Sequence, residues 1–119
     1  MSQHYPDLSA ELGAELSKLR KEIPETLKGF GQMSRAAHTD GALSNQTKEL
    51  IALAIGIANR CHGCLAFHAK ALVELGCGRA EFMEMLQVAI YMGGGPSLMT
   101  AAEALQAYEQ FGGEAAPAA

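Results

Sequence analysis

The chain has 119 residues, 49% hydrophobic but only 6% aromatic, with no tryptophan and a net charge of -4. Such a length makes one domain that buries roughly two-thirds of its unfolded surface, and a core of Ala, Leu, Ile, Val and Met suits close-packed helices better than sheets. Without a basic stripe to grip phosphates, nucleic-acid binding is not expected.

No apolar run reaches the ~18 residues of a membrane span, so no membrane partner is expected. The N-terminal MSQHYPDLSAEL lacks the basic start and apolar stretch of a signal peptide. A cytoplasmic location is the default expectation. There, three cysteines with a single C-x-x-C point to catalysis or metal binding, not to a disulfide framework.

Periodicity predicts about six helices and no strand. Leu8, Leu12, Leu16, Leu19 and Ile23 form one stripe at near-helical spacing. Pro24 suits the first turn of a second helix, with Leu27, Phe30, Ser34 and Ala37 on one side. HTDGALS reads as a loop, and Ser44 as the N-cap of a third helix over 45–59. That helix is apolar nearly all round and is expected to be central and buried. A fourth helix is expected over 61–75, with Gly76 just past its end.

A fifth helix begins near Arg79, with Phe82, Met85, Leu86, Ala89 and Ile90 at core spacing. GGGPS separates it from a sixth, where Leu98, Ala101, Ala102, Leu105 and Tyr108 are expected to face inward. GGGP lacks both a preceding strand and a following lysine, so it reads as a helix junction and not as a phosphate cradle. The whole chain is then a single domain, with a core of about 20–112 and a frayed tail over 112–119.

The chemistry concentrates in NRCHGCLAFHAKALVELGCG, residues 59–78. On a helical wheel Cys61, Cys64, Leu65, His68, Leu72 and Leu75 fall within about 100°. Both thiols and the imidazole thus share the face expected to pack inward, while Lys70 and Glu74 point to solvent. Cysteines at a helix N-terminus are favoured as thiolates by free N–H groups and the helix dipole. At i, i+3 they are close enough to bond to one another. His68, one turn beyond Cys64, is in reach as a proton acceptor or electrostatic partner. Position alone favours Cys61, nearer the helix start, as the nucleophile.

Glu49 has two readings. The bland one is an acid near a helix start, favoured by the dipole. The other notes that Ala52 and Gly56 continue its face, so a second helix packed there could meet the carboxylate, which would then orient His68. Cys77, after Gly76 at a helix end, reads as a small packed residue.

Glu49, eleven residues, Cys61, two residues, Cys64, three residues and His68 give E-x11-C-x2-C-x3-H. This pattern resembles the alkylhydroperoxidase D core of the carboxymuconolactone decarboxylase family, and the likeness runs over about residues 20–112. The resemblance implies an all-helical fold, an AhpD-like peroxidase chemistry at a redox-active disulfide, and a homo-oligomer, a trimer or hexamer. It implies that Cys64 attacks hydrogen peroxide or an organic hydroperoxide, that Cys61 resolves the product into a disulfide, and that Glu49 and His68 relay protons. An external dithiol, lipoylated or thioredoxin-like, would reset the pair, with no cofactor or metal. One departure stands out. The family's best-known peroxidase carries a histidine just before its second cysteine, where this chain has Gly63. His62 lies one place earlier, about 100° away round a helix, and is not expected to replace it.

Two alternatives differ in class. A metal-binding or redox-sensing structural module would use Cys61, Cys64 and His68 as ligands, with Glu49, Cys77 or His38 as the fourth. One continuous helix makes a poor tetrahedral cage from that spacing. A lactone decarboxylase is the other reading, against which the C-x-x-C pair argues, since the decarboxylating members do not depend on one.

Overall fold

A computed structural model describes residues 2–118. They form six helices: α1 (Tyr5–Glu22), α2 (Pro24–His38), α3 (Asn45–Ala58), α4 (His62–Glu74), α5 (Arg79–Gly93) and α6 (Gly95–Gln110). No strand occurs among the described residues. Helices α3 and α6 pack on each other and on both α4 and α5, α1 lies across α4 and α6, and α2 packs on α1 and α3.

Local chemistry sets the boundaries. Pro6 and Pro24 occupy first-turn positions of α1 and α2, where a missing N–H costs nothing. The Ser44 hydroxyl accepts the Thr47 N–H, capping α3 as expected. Helix α4 ends at Gly76, whose φ of +78° is one that L side chains rarely adopt. Gly94, with φ +71°, separates α5 from α6. The predicted GGGPS separator is therefore a single residue, and Gly93 and Gly95 belong to the flanking helices.

The core holds Leu53 and Ile57 of α3, Leu65, Ala66, Ala69 and Leu72 of α4, Phe82 and Leu86 of α5, and Ala101, Ala104 and Ala107 of α6. Each large aliphatic contributes about 1.5–3 kcal/mol when fully buried. Tyr108 stacks on Phe82 with centroids 4.4 Å apart, and its hydroxyl donates to the Cys77 carbonyl at 2.8 Å. That hydroxyl also accepts the Glu114 N–H, while Arg79 donates to the Glu109 carboxylate and the Glu114 carbonyl. These contacts reach into the segment expected to fray.

Two inward faces, those of α6 and α3, differ from expectation. In α6 the buried face is Ser97, Thr100, Ala101, Ala104, Ala107 and Tyr108, while Leu98 and Ala102 are exposed. Alanines form the contact because they let α6 approach α4 closely, where the larger Leu98 would hold the helices apart. In α3, Leu53 and Ile57 are buried but Ile51 and Ile55 are exposed, so the helix is central yet open on one side. The α1–α2 hairpin is apolar without being covered: α2 buries none of its residues, and Leu19, Ile23, Phe30 and Met33 are exposed.

Candidate functional site

The site is assembled where α3 hands over to α4. The end of α3 closes with Arg60 N–H donating to the Ile57 carbonyl and Cys61 N–H to the Gly56 carbonyl. This turn needs a left-handed residue, and Arg60 supplies it at φ +53°. A side chain in that region costs about 1–2 kcal/mol. The turn aims Cys61 at the start of α4, as its N-cap and not as its first helical residue.

Cys61 Sγ accepts the Cys64 N–H at 3.2 Å. This is the contact that Ser or Asp makes at an N-cap, and with the helix dipole it favours negative charge on that sulfur. The two sulfurs are bonded to each other, with the Cα atoms 5.2 Å apart. They are therefore not thiolate ligands in this state, and the metal cage of Cys61, Cys64 and His68 is not formed.

Gly56 makes the juxtaposition possible. A Cβ at that position would lie 2.9 Å from Cys64 Cβ, closer than real Cβ atoms come. The expected small-residue face of α3 thus lets α4 lie against it directly at the cysteines. On α4 the fully buried face is Leu65, Ala66, Ala69 and Leu72. Cys61, Cys64 and His68 sit on its border, half-buried, and Leu75 is exposed beyond the helix end. The expected inward face is therefore rotated away from the sulfurs, which leaves them reachable.

Glu49 is buried, at 8% exposure, and it is not a first-turn acid of α3. Its Oε2 lies 2.7 Å from His68 Nδ1. Its Oε1 lies 3.2 Å from Nε2 of a second histidine, His38, at the end of α2. The two imidazoles are near parallel, at 20°, with centroids 6.0 Å apart. His38 is anchored by Nδ1 against the Ser34 carbonyl at 2.8 Å. The following loop is pinned to the start of α3, where Asn45 N–H donates to Asp40 Oδ1 and Lys48 Nζ to the Thr39 carbonyl.

Sequence reasoning had named His38 only as a possible metal ligand. The available signal was topological: a histidine closing one helix and an acid early in the next, joined by a short loop, are brought together by the hairpin.

His62 faces the other way. Its Nε2 pairs with Glu103 of α6 at 2.8 Å, near Tyr5, whose phenol is pushed up to about 12 by burial and then by Glu103. Cys77 lies apart from the pair, buried, with its thiol pushed up to about 11 by burial and by Glu81. That keeps it protonated and unreactive at neutral pH, in line with its reading as a packed residue.

The pattern of the carboxymuconolactone decarboxylase family matches residues 24–107. The chain belongs to that family. A family protein of Legionella pneumophila, in its apo form, superposes with a TM-score of 0.90 at 49% identity, over 92% of this chain and 98% of that one. A second family member, from Thermotoga maritima and described with a suggested part in antioxidative response, gives a TM-score of 0.77 at 26% identity, over 86% and 87%. A Cupriavidus necator protein is 32% identical over 83% of this chain and 88% of its own. Protein 4 of the cox locus in Paracoccus denitrificans is 32% identical over 91% and 94%. Family membership and the bonded Cys61–Cys64 pair together support a redox-related role. No helix among the described residues is long and apolar enough to cross a membrane.

Proposed function

We propose that the protein is a thiol-dependent peroxidase of the alkylhydroperoxidase type. The observation that carries this reading is the pairing of buried Glu49 on α3 with half-buried His68 on α4, 2.7 Å apart, where the start of α4 holds a dithiol able to close into a disulfide. A structural cystine needs no imidazole beside it; peroxide reduction needs somewhere to send protons.

In the cycle, Cys64 thiolate attacks the terminal peroxide oxygen. The O–O bond breaks, the sulfur becomes a sulfenic acid, and the alkoxide or hydroxide leaves as alcohol or water after taking a proton. His68, held through Nδ1 by Glu49, keeps Nε2 for receiving the Cys64 proton and delivering it to the leaving oxygen. Cys61 then attacks the Cys64 sulfur, water leaves, and the disulfide forms. An external dithiol, lipoylated or thioredoxin-like, attacks the disulfide in turn. Cys61 is a good leaving thiolate because the Cys64 N–H already donates to it. The same contact would favour Cys61 as the first nucleophile. The family's assignment to Cys64 is kept here because His68 lies one turn beyond it.

The setting proposed is cytoplasmic, where dithiol reductants are maintained. The assembly proposed is a trimer or hexamer, with the exposed α1–α2 hairpin at the contact. The test is peptide mass spectrometry after one equivalent of peroxide and alkylation. Cys61–Cys64 should be the product, with Cys77 alkylated only after unfolding, and Cys61→Ser should stop at a dimedone-reactive sulfenic acid on Cys64. A predominant link through Cys77, or no oxidation beyond that of a free thiol, would refute the proposal.

A further inference from the structure

His38 Nδ1 lies 2.8 Å from the Ser34 carbonyl oxygen. A carbonyl only accepts, so Nδ1 carries the hydrogen. In the neutral ring Nε2 is then a bare lone pair, and Nε2 is the atom that faces Glu49 Oε1 at 3.2 Å. A carboxylate oxygen is also an acceptor. Two acceptors at this separation are reconciled by a positive charge between them, either a second ring proton or a metal ion held by both.

We propose that His38 Nε2, the Glu49 carboxylate and His68 Nδ1 form a binding site for one divalent transition-metal ion of the zinc class. Their ligand atoms all lie within 4.8 Å of one another. Two imidazoles and one carboxylate suit zinc, with water completing the shell; calcium and magnesium prefer all-oxygen sites. The His38 Nδ1–H held by a backbone carbonyl is the usual outer support of a metal-binding imidazole. Both histidine side chains are about a quarter exposed, at 25% and 26%, so an ion can enter, while Glu49 is buried behind them. Asp40 and Arg35, one charge of each sign, line the surface cleft beside His38. The ligand set differs from a thiolate cage, since it uses neither cysteine. A bound ion would occupy the atoms of the Glu49–His68 relay and hold it idle; that consequence rests on the peroxidase reading, whereas the site does not.

The experiment titrates zinc against a chromophoric chelator, using tag-free protein oxidised so that Cys61 and Cys64 are bonded and cannot ligate. One equivalent should bind. Affinity should fall at least about tenfold in His38→Ala and in His68→Ala, and hold in His62→Ala, which removes the separate His62–Glu103 pair. Circular dichroism checks the helix content of each, and His38→Gln replaces His38→Ala if the latter does not fold. Failure to bind one equivalent, or equal affinity in the wild type and the folded His38 variant, overturns the site. Peroxide turnover of metal-free protein is read in parallel. Zinc bound without peroxidase activity keeps the site and refutes the peroxidase; turnover without zinc binding does the reverse.

Discussion

Glu49 and His68 are 19 positions apart in sequence and 2.7 Å apart in space, carboxylate Oε2 to imidazole Nδ1, tying α3 to the middle of α4. If this contact serves proton transfer, Glu49→Gln should slow peroxide reduction by about 100-fold or more at neutral pH, the usual scale of general acid–base help. His68→Gln should do the same. The double variant should be little worse than either, because residues acting as one unit are non-additive. Stopped-flow rates of the three reduced variants check this, and independent losses that multiply would contradict it.

The contact between Gly56 and Cys64 makes a steric prediction. In Gly56→Ala the new methyl would meet Cys64 Cβ at 2.9 Å, an atom fixed to the backbone, so α4 itself must shift. A destabilisation of about 1–3 kcal/mol is expected, together with slower disulfide closure. Urea unfolding and the rate of Cys61–Cys64 formation measure the two effects.

Cys77 gives a pH prediction with a definite sign. Its thiol is raised from 9.0 to about 11 in the fold, by burial first and Glu81 second. The unfolded chain therefore releases this proton at lower pH than the native one. The contribution is complete below about pH 9 and is lost as pH rises toward 11. Cys77→Ala should flatten the alkaline fall in stability over that window relative to wild type, as read by urea midpoints of the oxidised protein. Parallel curves for the two proteins would contradict the assignment.

The uncovered hairpin makes a prediction about assembly. Leu19, Ile23, Phe30 and Met33 are large and exposed in the single chain, and apolar surface of this kind is costly to leave in water. Light scattering should report a trimer or hexamer at micromolar concentration, and Phe30→Asp with Met33→Asp should shift it toward the monomer. A wild-type monomer of 12.6 kDa would reject the proposed contact.

Much of this fold was legible in the sequence because its signals are local. Pro24, the Ser44 cap, Gly76 and the Phe82–Ile90 spacing each act within a few residues, and the helices they mark are present. The face of α6 was not legible: alanine at a close contact and alanine on a surface look alike, and only the position of α4 tells them apart. The pairing of Glu49 with His68 was legible as a possibility through Gly56 and the family pattern. The role of His38 was not, because it depends on how the loop after α2 folds back on Asn45 and Lys48. The left-handed Arg60 was equally hidden, since glycine is the residue that usually announces such a turn.

Cys64 is proposed to reduce peroxide with help from the residues around it. Stopped-flow mixing of reduced protein with hydrogen peroxide and with an organic hydroperoxide, following thiol loss, tests it most directly. Oxidation should be at least about 100-fold faster than in Glu49→Gln and abolished in Cys64→Ser, with the Cys61–Cys64 disulfide as product. Oxidation at the same rate in wild type and Glu49→Gln, or undiminished in Cys64→Ser, would contradict it.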